Sequence, residues 1–250
     1  MTENTLSAAY RLAALDQDFL LGDSMRGVRF LLEYAKAEET LRRWQIQSTL
    51  VVFGSARVRE TGDPRHARWY QQALTFGRIA SERGGALSTP EDGRLNVIAT
   101  GGGPGIMEAA NRGAREAGAP SIGFNITLPT EQVPNPYTTP ELTFRFHYFA
   151  MRKMHLAMRA AALIVFPGGF GTMDELFEIL TLQQTRKAPY VPVVLVDEDY
   201  WRGVVNFESF VEHGTAAEVD LKLFTYARDA EDAWSQLSAR GVDDPGQPLR

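Results

Sequence analysis

Ala162-Leu163-Ile164-Val165-Phe166-Pro167-Gly168-Gly169-Phe170-Gly171-Thr172-Met173-Asp174-Glu175 contains an unbroken apolar run, a glycine turn and the start of a helical pattern. A run with no polar alternation reads as a strand buried on both faces, the signature of a parallel sheet covered by helices. The glycines let the chain turn sharply and let a ligand approach the backbone. The helix that follows offers unpaired N–H groups and a partial positive charge, a combination suited to phosphate.

The same sentence is written earlier in the chain. Val97–Thr100 runs into Gly101-Gly102-Gly103-Pro104-Gly105 and then a helix to about Ala117, with Pro104 suited to a helix start. Thr49–Phe53 ends at Gly54-Ser55. Further strands are expected at Ser121–Ile126, Leu142–Phe146, Val191–Val196 and Leu223–Tyr226, separated by helices at 67–83, 149–160 and 170–185. The predicted fold is α/β: a Rossmann-like, three-layer domain with a mostly parallel central sheet flanked by helices. Ligands of such sheets sit at the carboxyl ends of the strands, where both glycine turns lie. Gly54, Ser55, Gly101, Gly102, Gly103, Gly105, Gly168, Gly169, Phe170, Gly171 and Thr172 therefore form a candidate phosphate and sugar site. The plain alternative is that the glycines only make tight connections. Neither turn ends in Lys-Ser/Thr as a P-loop does, and neither matches G-x-G-x-x-G with its acidic residue, which disfavours ATP hydrolysis and NAD binding.

Three segments are expected: an N-terminal arm and helix packed on the core (1–47), a nucleotide-binding catalytic domain (48–240) and a C-terminal tail (241–250). Within the first, Val28, Leu31, Leu32, Ala35 and Leu41 recur near helical spacing between Met25 and Trp44. Residues 127–141 carry four prolines and read as a loop over the site, with Glu131 and Asn135 as candidates for contacting a base.

Composition narrows the chemistry. The 250 residues include no cysteine, so disulfides, thiolate catalysis and Cys-based zinc sites are excluded. His66, His147, His155 and His213 show no ligand spacing, and no metal is expected. A net charge of −5 gives no general case for nucleic acid or membrane binding. No apolar run approaches the roughly 20 residues of a membrane span, and no signal peptide is evident, so a cytoplasmic protein is expected.

Thr172-Met173-Asp174-Glu175 also fits a capping box, with Thr172 capping a helix and Glu175 reaching back. The other reading aims Glu175 at a ligand. On the preceding helix, Ala150, Met154, Ala157 and Met158 share one face while Arg152, His155 and Arg159 share the opposite one. That second face is either a solvated basic surface or a source of arginine contacts to phosphate. Leu156 on the basic side hints at partial burial.

With these residues in place the chain resembles the LOG family, often labelled lysine-decarboxylase-like. Its signature P-G-G-x-G-T-x-x-E stands complete as Pro167, Gly168, Gly169, Gly171, Thr172 and Glu175, and the basic pair ahead of it as Arg152-Lys153. Gly101–Gly105 followed by Ile106-Met107-Glu108-Ala109-Ala110 also fits, and the likeness spans about residues 48–237. The resemblance implies hydrolysis of a nucleoside 5′-monophosphate, AMP or a cytokinin riboside monophosphate, to free base and ribose 5-phosphate. It implies catalytic roles for Glu175 and Arg152 and a nucleotide site lined by Lys153, Gly168, Gly169, Gly171, Thr172 and Asp174. It also implies a homodimer or larger homo-oligomer and no cofactor. The sequence departs from cytokinin-activating members before Arg152, where Phe146-His147-Tyr148-Phe149-Ala150-Met151 lacks their Met-His spacing, and it is longer at the N-terminus. Two other readings stand beside this one. One is a regulatory protein that binds nucleotide without hydrolysing it. The other is a pyridoxal-phosphate decarboxylase, for which the chain offers only Lys36, Lys153, Lys187 and Lys222.

Overall fold

The computed structural model describes residues 7–89, 91–128 and 133–243. Seven strands, β1 (Thr49–Phe53), β2 (Val97–Thr100), β3 (Ser121–Ile126), β4 (Thr143–Phe146), β5 (Ala160–Val165), β6 (Val193–Val196) and β7 (Phe224–Ala227), form one sheet. Its order is β4-β3-β2-β1-β5-β6-β7, and every pairing is parallel. The strands β1, β2 and β3 are buried at every residue, including the polar Ser121 and Asn125 of β3.

The described helices are α1 (Gln17–Leu21), α2 (Arg26–Arg43), α3 (Pro64–Arg83), α4 (Ile106–Glu116), α5 (Phe149–Met158), α6 (Phe170–Gln184), α7 (Glu198–Val204), α8 (Phe207–Glu212) and α9 (Ala230–Ser238). One face of the sheet is covered by α3, α4 and α9 through Phe76, Ile79, Ile106, Ala110 and Trp234. The other is covered by α2, α5, α6 and α7 through Leu41, Leu156, Leu176 and Trp201. The chain builds outward from β1 to β4, then returns to the other side of β1 with β5. The switch in direction opens a crevice at the carboxyl ends of β1 and β5, the place where such sheets bind ligands.

The helix of the N-terminal segment divides its apolar residues between two faces. Ala37 and Leu41 are buried, whereas Val28, Leu31 and Leu32 are exposed, Leu31 by 63%. The first half of α2 docks through the rings of Phe30 and Tyr34, which pack on Tyr148 and His155, and through polar contacts. Glu33 accepts hydrogen bonds from the backbone N–H groups of His147 and Tyr148, at the start of α5. Arg29 donates to the Tyr148 hydroxyl. Near the other end Glu38, buried between α2 and the start of β5, accepts from Arg159 and Arg42, and the Arg159 bond holds its carboxyl down at about 2. Periodicity finds this helix, but the apolar residues that face inward are Phe30, Tyr34, Ala37 and Leu41 rather than Val28, Leu31 and Leu32, and Glu33 and Glu38 share that docked side.

The face of α5 read as polar turns inward. His155 is 1% exposed, stacked against Tyr34, Phe124 and Phe146, with no hydrogen-bond partner on either ring nitrogen among the described residues. Burial lowers its pKa; Glu38 and the Tyr34 backbone oppose that shift, and Arg159 adds to it. The unfolded chain protonates this histidine near 6.5 while the folded chain resists, so the unfolded state binds more protons in acid. The stability that neutral His155 allows is complete above that value and declines as pH falls below it. Urea midpoints should therefore drop between about pH 7.5 and about pH 5.5, and His155→Leu should shrink that drop. An identical pH response in the variant would remove His155 from the account.

Candidate active site

The loop after β1 closes against both glycine turns. The Ser55 N–H donates to the Pro167 carbonyl at 3.0 Å, and the Ser55 carbonyl accepts from the Ile106 N–H at 3.2 Å. Contact this close leaves no room for side chains. A Cβ on Gly54 would meet the Ile106 side chain, and one on Gly105 would run into the Ser55 carbonyl and the Ala56 backbone. Gly105 also holds φ +74°, a conformation that costs other residues strain.

A cavity of about 870 Å3 opens over this junction. Phe53, Gly54, Ser55, Ala56 and Arg57 wall it on the β1 side, and Gly168 through Met173 with Glu175 on the β5 side. Gly101, Met107 and Arg152 enter from a third direction, while Phe177, Tyr200, Val204, Val205 and Phe210 supply an apolar wall. The volume suits a small-molecule ligand, and the mix of apolar wall and few polar groups is typical of such sites.

The two glycine turns are not equivalent. In the first, only Gly101 lines the cavity. Gly102, Gly103 and Gly105 are buried beneath it. The Gly102 N–H donates to the Thr100 hydroxyl, and the Gly102 and Gly103 carbonyls accept from Asn135. Asn135, expected near a base, is thus a buried brace for this turn, tied also to Asn111. Glu131 lies outside the described residues. The second turn faces the cavity throughout. A Cβ on Gly169 or Gly171 would meet nothing within 4 Å. The N–H groups of Gly168, Gly169, Phe170 and Gly171 have no hydrogen-bond partner among the described residues. Four successive free donors at the start of a 15-residue helix are an arrangement suited to an anion.

The capping-box reading fails on geometry. The N-cap of α6 is Gly169, with no side-chain cap bond, which puts Thr172 inside the first turn and Glu175 in the second. Both are buried and both line the cavity. Gly171 and Glu175 are four residues apart, so they share one face of α6 about 6 Å apart along its axis.

Arg152 donates to the Glu175 carboxylate at 2.7 Å, and both side chains are largely buried. Burial raises the Glu175 carboxyl above its ordinary value, against the pull of Arg152 and Lys153. The Arg152 Nε is buried with no partner among the described residues, which leaves donor capacity for a ligand. Lys153 and Asp174, expected in the same site, line a neighbouring groove with Phe177 and Glu178 instead. Lys153 contacts Asp174 at 2.7 Å and Glu178 at 2.8 Å, with Glu175 at 3.9 Å. Burial alone would lower its pKa, but these carboxylates hold it above the ordinary lysine value.

Arg57, Tyr200 and Phe210 are among the lining residues that the sequence reading did not single out. Arg57 follows Gly54-Ser55, and its side chain makes no ion pair among the described residues. Tyr200 and Phe210 come from α7 and α8, far along the chain, where no motif signals them. Phe170, a candidate from the sequence, lines the cavity and is 96% exposed at its mouth.

The profile of a family described as possible lysine decarboxylase matches residues 107–237, just over half of the chain. Curated relatives agree with it. The cytokinin riboside 5′-monophosphate phosphoribohydrolase LOG of Oryza sativa subsp. japonica is 27% identical over 76% of this chain and 72% of its own. LOG7 of Arabidopsis thaliana, of the same description, is 26% identical over 58% of this chain and 66% of its own. The enzyme of that name from Rhodococcoides fascians is 27% identical over 55% and 67%. The chain thus spans about two thirds of the length of the relatives it matches. The X-ray structure of TM1055 superposes with a TM-score of 0.52 at 22% identity, covering 77% of this chain and 99% of that one, which shows the shared α/β fold.

Two glycine substitutions separate packing from ligand space. Gly105→Ala should destabilise by about 2 kcal/mol or more, through positive φ and overpacking together. Gly169→Ala should leave the thermal midpoint within about 2 °C and instead weaken binding of a phosphate-bearing ligand. Equal thermal losses in both would contradict the open setting of Gly169.

Proposed function

The chain belongs to the family described as possible lysine decarboxylase, the LOG family, and from that premise we propose that it hydrolyses the N-glycosidic bond of a purine nucleoside 5′-monophosphate. The products are the free base and ribose 5-phosphate. One observation carries the reading: a buried carboxylate, Glu175, lines the same cavity as the turn with four free N–H groups and stands one helical turn beyond the last of them, Gly171, on the same face of α6. A 5′-phosphate held at the helix start brings the ribose C1′ within reach of that carboxylate.

Cleavage of the bond to the base builds positive charge on the ribose ring. Glu175 stabilises that charge and draws a proton from the attacking water, while Arg152 keeps the carboxylate aimed and ionised. The Phe170 and Gly171 N–H groups and the Thr172 hydroxyl hold the phosphate, with Gly54 and Ser55 closing the sugar side. Binding energy from the phosphate positions the sugar, so nucleosides lacking it react poorly. Val204, Val205 and Phe210 form the apolar wall available to a purine, plain or N6-substituted.

The lysine environment argues against amine chemistry. A Schiff base needs a neutral amine, and Lys153, the one lysine beside the motifs, is held protonated by three carboxylates outside the main cavity. Among the described residues no helix is long and apolar enough to cross a membrane. A cytoplasmic setting, expected from the sequence, and a homodimer or larger homo-oligomer, carried over from the resemblance, complete the proposal.

Glu175→Gln should cut base release from AMP by about 100-fold or more, with the fold retained by circular dichroism. Arg152→Ala should lose comparable activity and also stability, since it strands a buried carboxylate. Near-native turnover in either variant would overturn these roles. Because Glu175 must be ionised to act and its pKa is raised, kcat/KM should climb with pH through a limb above 4.5. A limb at or below that value would assign it to another group. Calorimetry showing AMP binding with no base released by the native protein would favour the regulatory reading.

A further inference from the structure

The apolar wall of the cavity contains one polar atom whose job the reaction does not explain. Tyr200, in α7, donates its hydroxyl to the Gly168 carbonyl at 2.7 Å. Gly168 opens the run of four free N–H groups. Its carbonyl belongs to the same planar peptide unit as the Gly169 N–H, and in a trans peptide the two point in opposite directions. No other hydrogen bond holds this unit among the described residues, since the Gly169 N–H is free. Gly168 and Gly169 carry no side chains to restrain it. Turning the carbonyl toward α7 therefore sets where the Gly169 N–H points.

Tyr200 is itself held. Its backbone N–H donates to Asp197 Oδ1, the N-cap of α7. The other Asp197 oxygen accepts from Trp69 Nε1 at 2.7 Å, a bond that reaches across from α3. The Tyr200 ring packs edge-on against Trp69 and Trp201. Burial raises the phenol above its ordinary value, so it remains a donor at neutral pH.

We propose that Tyr200 is a positioning residue for the phosphate: its hydroxyl locks the Gly168–Gly169 peptide so that the Gly169 N–H faces the 5′-phosphate of the bound nucleotide. This rests on the reading of the cavity as a nucleoside monophosphate site. It assigns to α7 a part in phosphate recognition, and it makes Trp69 and Asp197 indirect supports of the same peptide.

Tyr200→Phe tests it, because the ring and its packing remain while the donor is lost. Two measurements are needed. Ribose 5-phosphate binding by calorimetry should weaken about three- to tenfold, the worth of one hydrogen bond. In turnover, KM for AMP should rise by the same factor with kcat less affected, and the preference for AMP over adenosine in kcat/KM should fall correspondingly. A general loosening of the cavity would lower both substrates alike and leave that preference unchanged, which would overturn the inference. Trp69→Phe, which removes the support of Asp197 but not the hydroxyl, should shift the preference in the same direction by less. Unchanged ribose 5-phosphate affinity in Tyr200→Phe, or no affinity in the native protein, would also overturn it. If the native protein binds ribose 5-phosphate, Tyr200→Phe weakens it, and AMP is never cleaved, the hydrolase reading fails while the role of Tyr200 stands.

Discussion

The backbone of Ser55 joins three pieces of the sheet that are far apart in sequence. Its N–H is bound to Pro167 and its carbonyl to Ile106, so the loop after β1 is clamped to the turns after β5 and β2 at once. The close approach leaves no room for a side chain at Gly105, which lies against the Ser55 and Ala56 backbone, or at Gly54, which lies against the Ile106 side chain. Much of the site follows from this constraint. The crevice at the switch point acquires a hydrogen-bonded floor, α6 begins beside it, and the residues of its start, whose N–H groups are free, line the cavity.

On that floor stands a buried ion pair whose cost the protein tolerates. Arg152 and Glu175 come from consecutive helices, α5 and α6, that flank β5, and each is largely removed from water. Such pairs rarely add stability over an apolar packing of the same volume. Here the carboxyl is pulled both ways, upward by burial and downward by two cations. A carboxylate poised in this manner, with an unpartnered guanidinium nitrogen beside it, fits chemistry better than architecture. The N-terminal segment contributes from a distance. Glu33 caps the start of α5, and Glu38 anchors Arg159 at its end, so both ends of the helix that carries Arg152 are fixed by α2.

Most of the fold was legible in the chain, because a strand buried on both faces leaves an unmistakable apolar run and a glycine turn marks its end. The seven strands and the helices between them lie within a few residues of their predicted places. What periodicity could not assign was the inner face of a helix that buries charge. On α2 and α5 the buried positions include Glu38 and His155, while Leu31 and Met158 are exposed. A pattern that counts apolar residues assumes that polar groups seek water, and that assumption breaks wherever a partner on another element satisfies or encloses them.

The site divides along the same line. A signature with Glu175, a basic residue at Arg152 and a glycine-rich helix start at Gly168–Thr172 can be read directly from the order of residues, since these are local patterns with local meaning. The difference between the two glycine turns, one buried and braced by Asn135, the other open with its donors free, emerges from long-range packing. The same packing turns Lys153 to a neighbouring groove and makes Arg57 and Tyr200 wall the cavity. The reason is physical: whether a backbone N–H is free depends on what the rest of the chain brings to it, and those partners come from elements dozens of residues away.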